Sequence, residues 1–197
     1  RGCFHPLIRL SYSLYEEGPE GVADALAYWT VKYDPMFDGA DTAEVATRLQ
    51  SQNVVRCGDI LANMKSKYDE HAESGEEAPC SEYSNVSGFM TCPHLRTMAE
   101  EVDCPQEKQI EVFGEMLSWA VRLFNVVPSF QTLHAVTGGY ALLNLLPHFE
   151  EGVVAIKLYW TWFLAVYRLT KCPALGTLEC PKRSTSEERE ARWEEVR

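Results

Sequence analysis

Residues 130–139 constrain the fold more than any other stretch, because they place a histidine and two adjacent glycines inside a helical pattern. A glycine within a helix costs about 1 kcal/mol relative to alanine. Gly138 and Gly139 therefore need a reason: a helix end, a break in the helix, or the close approach of another backbone. Ser129 is the predicted N-cap of this helix. His134, beside the glycines, is the best candidate for a site.

The helical pattern continues through most of the chain. Apolar residues recur at helical spacing in 106–126, and 152–170 is aromatic and apolar nearly all round, which is typical of a central buried helix. No stretch alternates with the period of a strand, and no internal repeat stands out. The sequence therefore predicts an all-α fold, a multi-helix bundle of about eight helices.

The length predicts a single helical domain over residues 1–197, since this is enough chain for one core. The chain starts without a methionine and stops inside a helical pattern, so we expect it to be part of a longer protein. Residues 69–91 are acidic and rich in small residues, and they predict a surface loop. Further short helices are predicted over 42–50 and from 185 onward.

The net charge of −11 argues against nucleic acid and anionic membranes as partners, because both bind basic surfaces. No apolar run is long enough to span a bilayer. The seven cysteines form no CxxC motif, and we interpret them as free thiols of a cytoplasmic protein. A zinc site from Cys80, Cys92, His94 and Cys104 is a weak alternative, since the spacings fit no standard zinc pattern.

Two histidines carry the functional hypotheses, and each has a plain structural interpretation as well. His134 is either a core histidine bonded to a backbone carbonyl or a metal ligand or acid/base group. His5, before Pro6 at a predicted helix start, is either an exposed terminal histidine or a metal ligand. Arg9, one turn further on, is placed to pair with a carboxylate or a phenolate. The common hydrolase, metalloprotease and nucleotide-binding motifs do not occur in the sequence.

Two motifs resemble the questin oxidase-like family. The first is FHPLIRL, from Phe4 to Leu10, and the second is LHAVTG, from Leu133 to Gly138. The stretch ADALAYW at 23–29 and the aromatic helix around 159–167 follow in the order that family members have. The resemblance covers most of the chain, and the two motifs together are fairly specific.

The resemblance implies an oxidoreductase of the monooxygenase or dioxygenase type. Fungal members open quinone rings of aromatic polyketides in a Baeyer–Villiger-like oxidation with NADPH and O₂, as part of secondary metabolism, and some members are described as non-haem iron enzymes. For this chain the family implies His5 and His134 as Fe(II) ligands and NADPH as electron donor. Arg9, Thr137 and Tyr140 are expected to line the pocket and orient a small aromatic substrate, with the two glycines giving the site room.

The family pattern also includes an Asn-His motif in a segment before FHPLI and an Asp-x-His motif in a segment beyond the region of Trp193, and neither segment is present in this sequence. Many members have histidines where Arg9 and Tyr140 stand. The alternative hypothesis is therefore a non-catalytic helical binding or interaction module derived from the same fold. The oxidoreductase hypothesis requires the side chains of His5 and His134 to point into one cavity.

Overall fold

The computed structural model describes residues 4–16, 18–32, 55–75, 80 and 82–176. In these residues the all-α prediction is confirmed, with short 3₁₀ helices at Gln106–Lys108 and Leu146–His148 and one isolated bridge between Val55 and Val102. None of the helices in this part of the chain is long and apolar enough to cross a bilayer. The α-helices are α1 (His5–Ser13), α2 (Glu20–Lys32), α3 (Cys57–Ser74), α4 (Val86–Thr91), α5 (Pro93–Glu100), α6 (Gln109–Val126), α7 (Phe130–Leu145) and α8 (Gly152–Leu169).

The aromatic helix α8 lies at the centre of the bundle, as the sequence predicts. Helices α4, α5, α6 and α7 all pack against it. Its large side chains Tyr159, Trp160, Phe163 and Tyr167 are almost completely buried. Burying one large apolar side chain contributes about 1.5–3 kcal/mol, so α8 supplies much of the driving force for the fold.

Helix α7 begins at the predicted cap and joins α1 to the rest of the bundle. The Ser129 hydroxyl accepts from the Thr132 N–H, and the Thr132 hydroxyl accepts from the Ser129 N–H, which satisfies two N–H groups at the helix start. The helix then runs without a break to Leu145 and packs against α1, α6 and α8. A helix break or end at the glycines is therefore excluded, and close approach remains.

The prediction of a surface loop over 69–91 is wrong for two parts of that segment, which are helical. Helix α3 continues through the acidic residues as far as Glu73 and ends where Gly75 takes a left-handed conformation (φ 73°). Helix α4 follows, capped by Asn85, and it buries Phe89 in the core. Glu70 and Glu73 are exposed on α3, so their charge marks a solvated helix face rather than a loop. The helices predicted over 42–50 and from 185 lie outside the described residues.

The prediction of free thiols is wrong for Cys80 and Cys92, which form a disulfide with their Cα atoms 6.1 Å apart. This bond ties the chain before α4 to the junction of α4 and α5. Cys57, Cys104 and Cys172 are free and buried. Among the described residues, no three or more histidine, cysteine, aspartate or glutamate side chains form a group that could hold a metal ion, which leaves the zinc alternative without support.

One lysine is buried in the core. Lys157 on α8 is 1 % exposed, and its Nζ donates a 3.0 Å hydrogen bond to the carbonyl of Glu100 at the end of α5. The C-terminal carbonyls of a helix need such partners, and their partial negative charge favours a cation. Burial lowers the pKa of Lys157, while Cys104, Glu100 and Asp103 act in the opposite direction.

We expect this buried lysine to make stability rise with pH in the alkaline range. The unfolded chain holds the Lys157 proton up to the ordinary pKa of 10.5, whereas the folded chain releases it earlier. Between the lowered pKa and 10.5 the unfolded state binds more protons, so the free energy of unfolding increases. Urea unfolding of the wild type and of Lys157→Met across this range should show the wild type gaining stability relative to the variant. A constant difference would contradict the lowered pKa.

Candidate functional site

The site centres on two imidazoles that meet across the α1–α7 interface. The Nε2 atoms of His5 and His134 lie 2.9 Å apart, and the two rings are nearly perpendicular, at 81°. His134 is 6 % exposed, whereas His5, at the start of α1, is open to solvent. The ring of Phe130 lies against His134, with centroids 4.1 Å apart. The structure therefore brings together the two histidines that the motifs singled out.

The hydrogen bonds of His134 fix its tautomer. Its Nδ1 lies 2.7 Å from the carbonyl oxygen of Phe130, which can only accept, so Nδ1–H donates. In the neutral ring Nε2 is then an acceptor, and the Nε2–H of His5 donates to it. The structural interpretation of His134 and the functional one are thus compatible, because one nitrogen bonds the backbone while the other faces His5.

This geometry fits two ligands of one metal ion. Two imidazole nitrogens bound at right angles, each at about 2.1 Å from the metal, lie about 3 Å apart. A histidine ligand commonly donates its other ring N–H to a backbone carbonyl, as His134 does to Phe130. Two imidazoles alone leave the coordination shell incomplete, and the described residues supply no third ligand group.

Gly138 lets α1 approach α7 closely enough for the imidazoles to meet. A Cβ atom at Gly138 would lie 2.8 Å from the Cβ of Phe4 and would overlap its ring. Phe4 also packs edge-on against Trp162, with ring centroids 4.7 Å apart. Because Phe4 directly precedes His5, this contact sets where the His5 imidazole lies. The expectation that Gly138 gives the site open space is wrong, since an aromatic ring fills that space.

Gly139 serves a second close contact, on the side of α7 that faces α6 and α8. A Cβ atom there would lie 2.8 Å from the hydroxyl oxygen of Tyr159 and would overlap Leu117. The Tyr159 hydroxyl donates a 2.8 Å hydrogen bond to the carbonyl of Ala135, and burial raises its pKa, so it stays protonated. This bond ties α7 to α8 one residue beyond His134.

A cleft of about 360 Å³ begins at His5 and runs along α1, and it is lined by residues of both α1 and α2. Helix α1 contributes His5, Ile8, Arg9 and Tyr12, Asp24 comes from α2, and Glu16 lies between the two helices. The volume is within the range of small-molecule sites. His5 thus belongs to both the imidazole pair and the cleft.

Comparison with known protein families matches the whole chain. The family model described as Questin oxidase-like covers residues 1–197. The chain belongs to the questin oxidase-like family. This confirms the resemblance seen in the FHPLIRL and LHAVTG motifs, and the family description indicates an oxidoreductase. Searches of curated proteins and of solved structures found no match.

In this questin oxidase-like chain Arg9 lies in the cleft but already has partners. Its Nη2 is 3.8 Å from the Asp24 carboxylate, and its guanidinium lies 5.6 Å from the ring centre of Tyr28. About half of the Arg9 side chain is exposed, so the ion pair contributes little to stability, about 0–1 kcal/mol. The guanidinium is therefore held in place and still accessible to a ligand.

Thr137 and Tyr140 do not line this cleft with His5 and Arg9. The Thr137 hydroxyl donates to the Leu133 carbonyl in its own helix, 3.1 Å away. Tyr140 is 53 % exposed on the outer side of α7. Their predicted roles in orienting a substrate stay predictions, and the cleft itself depends on other side chains.

Tyr12, Glu16 and Asp24 line the cleft and were not predicted. Tyr12 follows His5 at i+7, on the helix face that also carries Arg9 at i+4, and Glu16 continues the same spacing at i+11, just beyond the end of α1. That periodicity could have identified them. Asp24 comes from another helix, and no local pattern links it to the site.

Proposed function

We propose that this chain provides part of the active site of an oxidoreductase that uses O₂ on an aromatic, polyketide-like or quinone substrate. Fe(II) would be held by the imidazoles of His5 and His134, with NADPH as electron donor. The observation that carries the proposal is the 2.9 Å separation of the two Nε2 atoms, one of which belongs to His5 at the wall of the cleft. Membership of an oxidoreductase family supports the same reaction class.

The two histidines have different tasks in this proposal. His134 is the fixed ligand, because the Phe130 carbonyl holds its ring through Nδ1 and leaves Nε2 available. For His5 to serve as the second ligand its proton would reside on Nδ1, which would leave a lone pair free on the Nε2 atom of both rings. When bound, Fe(II) supplies the open coordination position and one-electron chemistry that O₂ requires.

The cleft favours a flat ligand with neutral oxygen substituents. Tyr12 and Ile8 provide apolar and aromatic surface, and the Arg9 guanidinium can donate to a quinone carbonyl oxygen. Glu16 and Asp24 can accept from ring hydroxyls. Two carboxylates against one guanidinium disfavour a fully ionised phenolate, so we expect the neutral hydroxyquinone to bind.

The test is O₂ consumption by the protein loaded with Fe(II) under anaerobic conditions, then mixed with NADPH, O₂ and a dihydroxyanthraquinone. We expect uptake that depends on the quinone. Arg9→Gln should raise KM about tenfold, the cost of one charge-assisted hydrogen bond, with kcat nearly unchanged. Arg56→Gln is the matched control, because Arg56 is exposed at the start of α3 and does not line the cleft.

Iron-loaded protein that consumes no O₂ with hydroxylated quinones would overturn the catalytic proposal. If the same protein nevertheless bound the dihydroxyanthraquinone with an affinity that Arg9→Gln weakened, the non-catalytic binding module would be the better description.

A further inference from the structure

Two buried thiols, Cys57 and Cys104, lie near the two ends of the segment from Val55 to Cys104. The proposed oxidoreductase site does not use them. Val55 and Val102 form a parallel bridge: the Asp103 N–H donates to the Val55 carbonyl at 2.9 Å, and the Val55 N–H donates to the Glu101 carbonyl at 3.4 Å. Cys57 and Cys104 each lie two residues beyond this bridge. Both chains leave the bridge in the same direction, so these two positions are neighbours.

The register places the two cysteines on the same side of the pair. Side chains two residues apart in an extended chain point to the same face, and Arg56, between Val55 and Cys57, is extended (φ −74°, ψ 151°). Residues paired at a parallel bridge lie about 4.8 Å apart. Cys57, the first residue of α3, and Cys104 follow this bridge by two residues each, so we expect them to stay within the Cα separation of about 4.4–6.8 Å that a disulfide requires. Cys57 is 1 % exposed and Cys104 is 7 % exposed.

We propose that Cys57 and Cys104 are a redox-sensitive dithiol, which hydrogen peroxide converts to a disulfide that links the two ends of the 55–104 segment. This bond would enclose the Cys80–Cys92 disulfide in the sequence. A small neutral oxidant is required, because the sulfur atoms are buried. Cys172, the third buried free cysteine in the part of the chain that the structure describes, lies beyond α8 and does not follow the bridge.

The electrostatic surroundings indicate which thiol reacts first. Burial raises the pKa of Cys104 to about 11, and the neighbouring Lys157 acts in the opposite direction. Burial raises the pKa of Cys57 further, and both Glu115 and Cys104 add to that effect, so the two thiols are within electrostatic range of each other. The pKa of Cys104 is therefore raised less than that of Cys57, and Cys104 is the thiol that peroxide oxidises first.

The reaction balances in two steps. The Cys104 thiol and hydrogen peroxide give the Cys104 sulfenic acid and one water, with the sulfur oxidised and the O–O bond broken. The Cys57 sulfur then attacks the Cys104 sulfur and forms the S–S bond, while the sulfenic oxygen leaves with the Cys57 proton as a second water. In sum, two thiols are oxidised and one peroxide is reduced to two waters.

The experiment counts thiols by intact mass after peroxide treatment, denaturation and alkylation with N-ethylmaleimide. A Cys3→Ser/Cys180→Ser background leaves three alkylatable thiols in the protein, at Cys57, Cys104 and Cys172. We expect the adducts to fall from three to one, with a peptide map that links Cys57 to Cys104. The cross-link should also raise the thermal midpoint by about 5–10 °C.

Matched variants separate the pair from general oxidation. Cys172→Ser should keep the loss of two adducts, whereas Cys104→Ser should leave Cys57 fully alkylated. In Cys57→Ser, or Cys57→Ala if the serine variant does not fold, Cys104 should instead be trapped as a sulfenic acid by dimedone. Three surviving adducts, a cross-link to Cys172, or irreversible oxidation of Cys104 alone in the background protein would overturn the proposal.

Discussion

Replacing Gly138 by valine is expected to lower the free energy of unfolding by about 2–3 kcal/mol and to abolish the contact between His5 and His134. The new side chain would occupy the space of the Phe4 ring, and the Cβ atom of Phe4 would lie 2.8 Å from the added Cβ. Phe4 must then leave its place against Trp162, and α1 must move with it. Urea unfolding measures the loss of stability, and metal titration measures the loss of the paired imidazoles.

Gly114→Val is the matched control for this prediction. Gly114 also lies inside a helix, α6, but a Cβ atom there would meet nothing within 4 Å. Valine at this position should be neutral or stabilise the protein by a few tenths of a kcal/mol, because it removes a glycine from a helix interior. If both variants unfolded at the same urea concentration and still bound metal equally, the close approach at Gly138 would not be what positions α1.

The parts of the fold that the sequence predicts are those encoded by local pattern. The apolar aromatic run of α8 indicates a central helix, and the Ser129 cap fixes where α7 begins. Both depend on residues within a few turns of each other. The burial of Phe89 depends instead on the packing of α4 against α8, which the acidic, small-residue composition of this segment does not indicate.

The glycine pair shows the limit of local reasoning most clearly. The cost of two glycines in a helix signals that something approaches closely, but it does not identify what. The partners prove to be Phe4 and the Tyr159 hydroxyl, from opposite ends of the chain. The cysteines present the same difficulty, because the disulfide between Cys80 and Cys92 depends on a tertiary fold that their spacing does not encode.

In the candidate site, too, some residues were identified by local motifs and others only by the fold. The motifs led to His5 and His134, which are 129 residues apart in sequence and adjacent in the structure. They did not lead to Glu16 or Asp24, because the surface of α1 that lines the cleft is defined by its packing against α2. Motifs therefore located the imidazoles, whereas the shape of the cleft beside them required the fold.

Removing either imidazole is expected to lower the affinity for Fe(II), or for Co(II) as its spectroscopic substitute, by at least about 100-fold. The two Nε2 atoms lie 2.9 Å apart, so in the proposed site they would act as one chelate in which each needs the other. His5→Ala and His134→Ala should therefore each lose nearly as much affinity as the double variant, which is a non-additive result. Anaerobic titration followed by the Co(II) absorption spectrum gives the affinities, and circular dichroism verifies that each variant is folded.

A histidine outside the pair provides the control for this loss of metal affinity. His148 is exposed in the 3₁₀ helix Leu146–His148, so His148→Ala should bind metal as the wild type does. His134→Ala also leaves the Phe130 carbonyl without its side-chain donor, whereas His5→Ala disturbs no such bond. Equal losses of affinity in the two single variants would therefore reflect the shared metal rather than damage to α7. Two independent, additive losses would mean that the imidazoles bind separately, and the chelate would have to be abandoned.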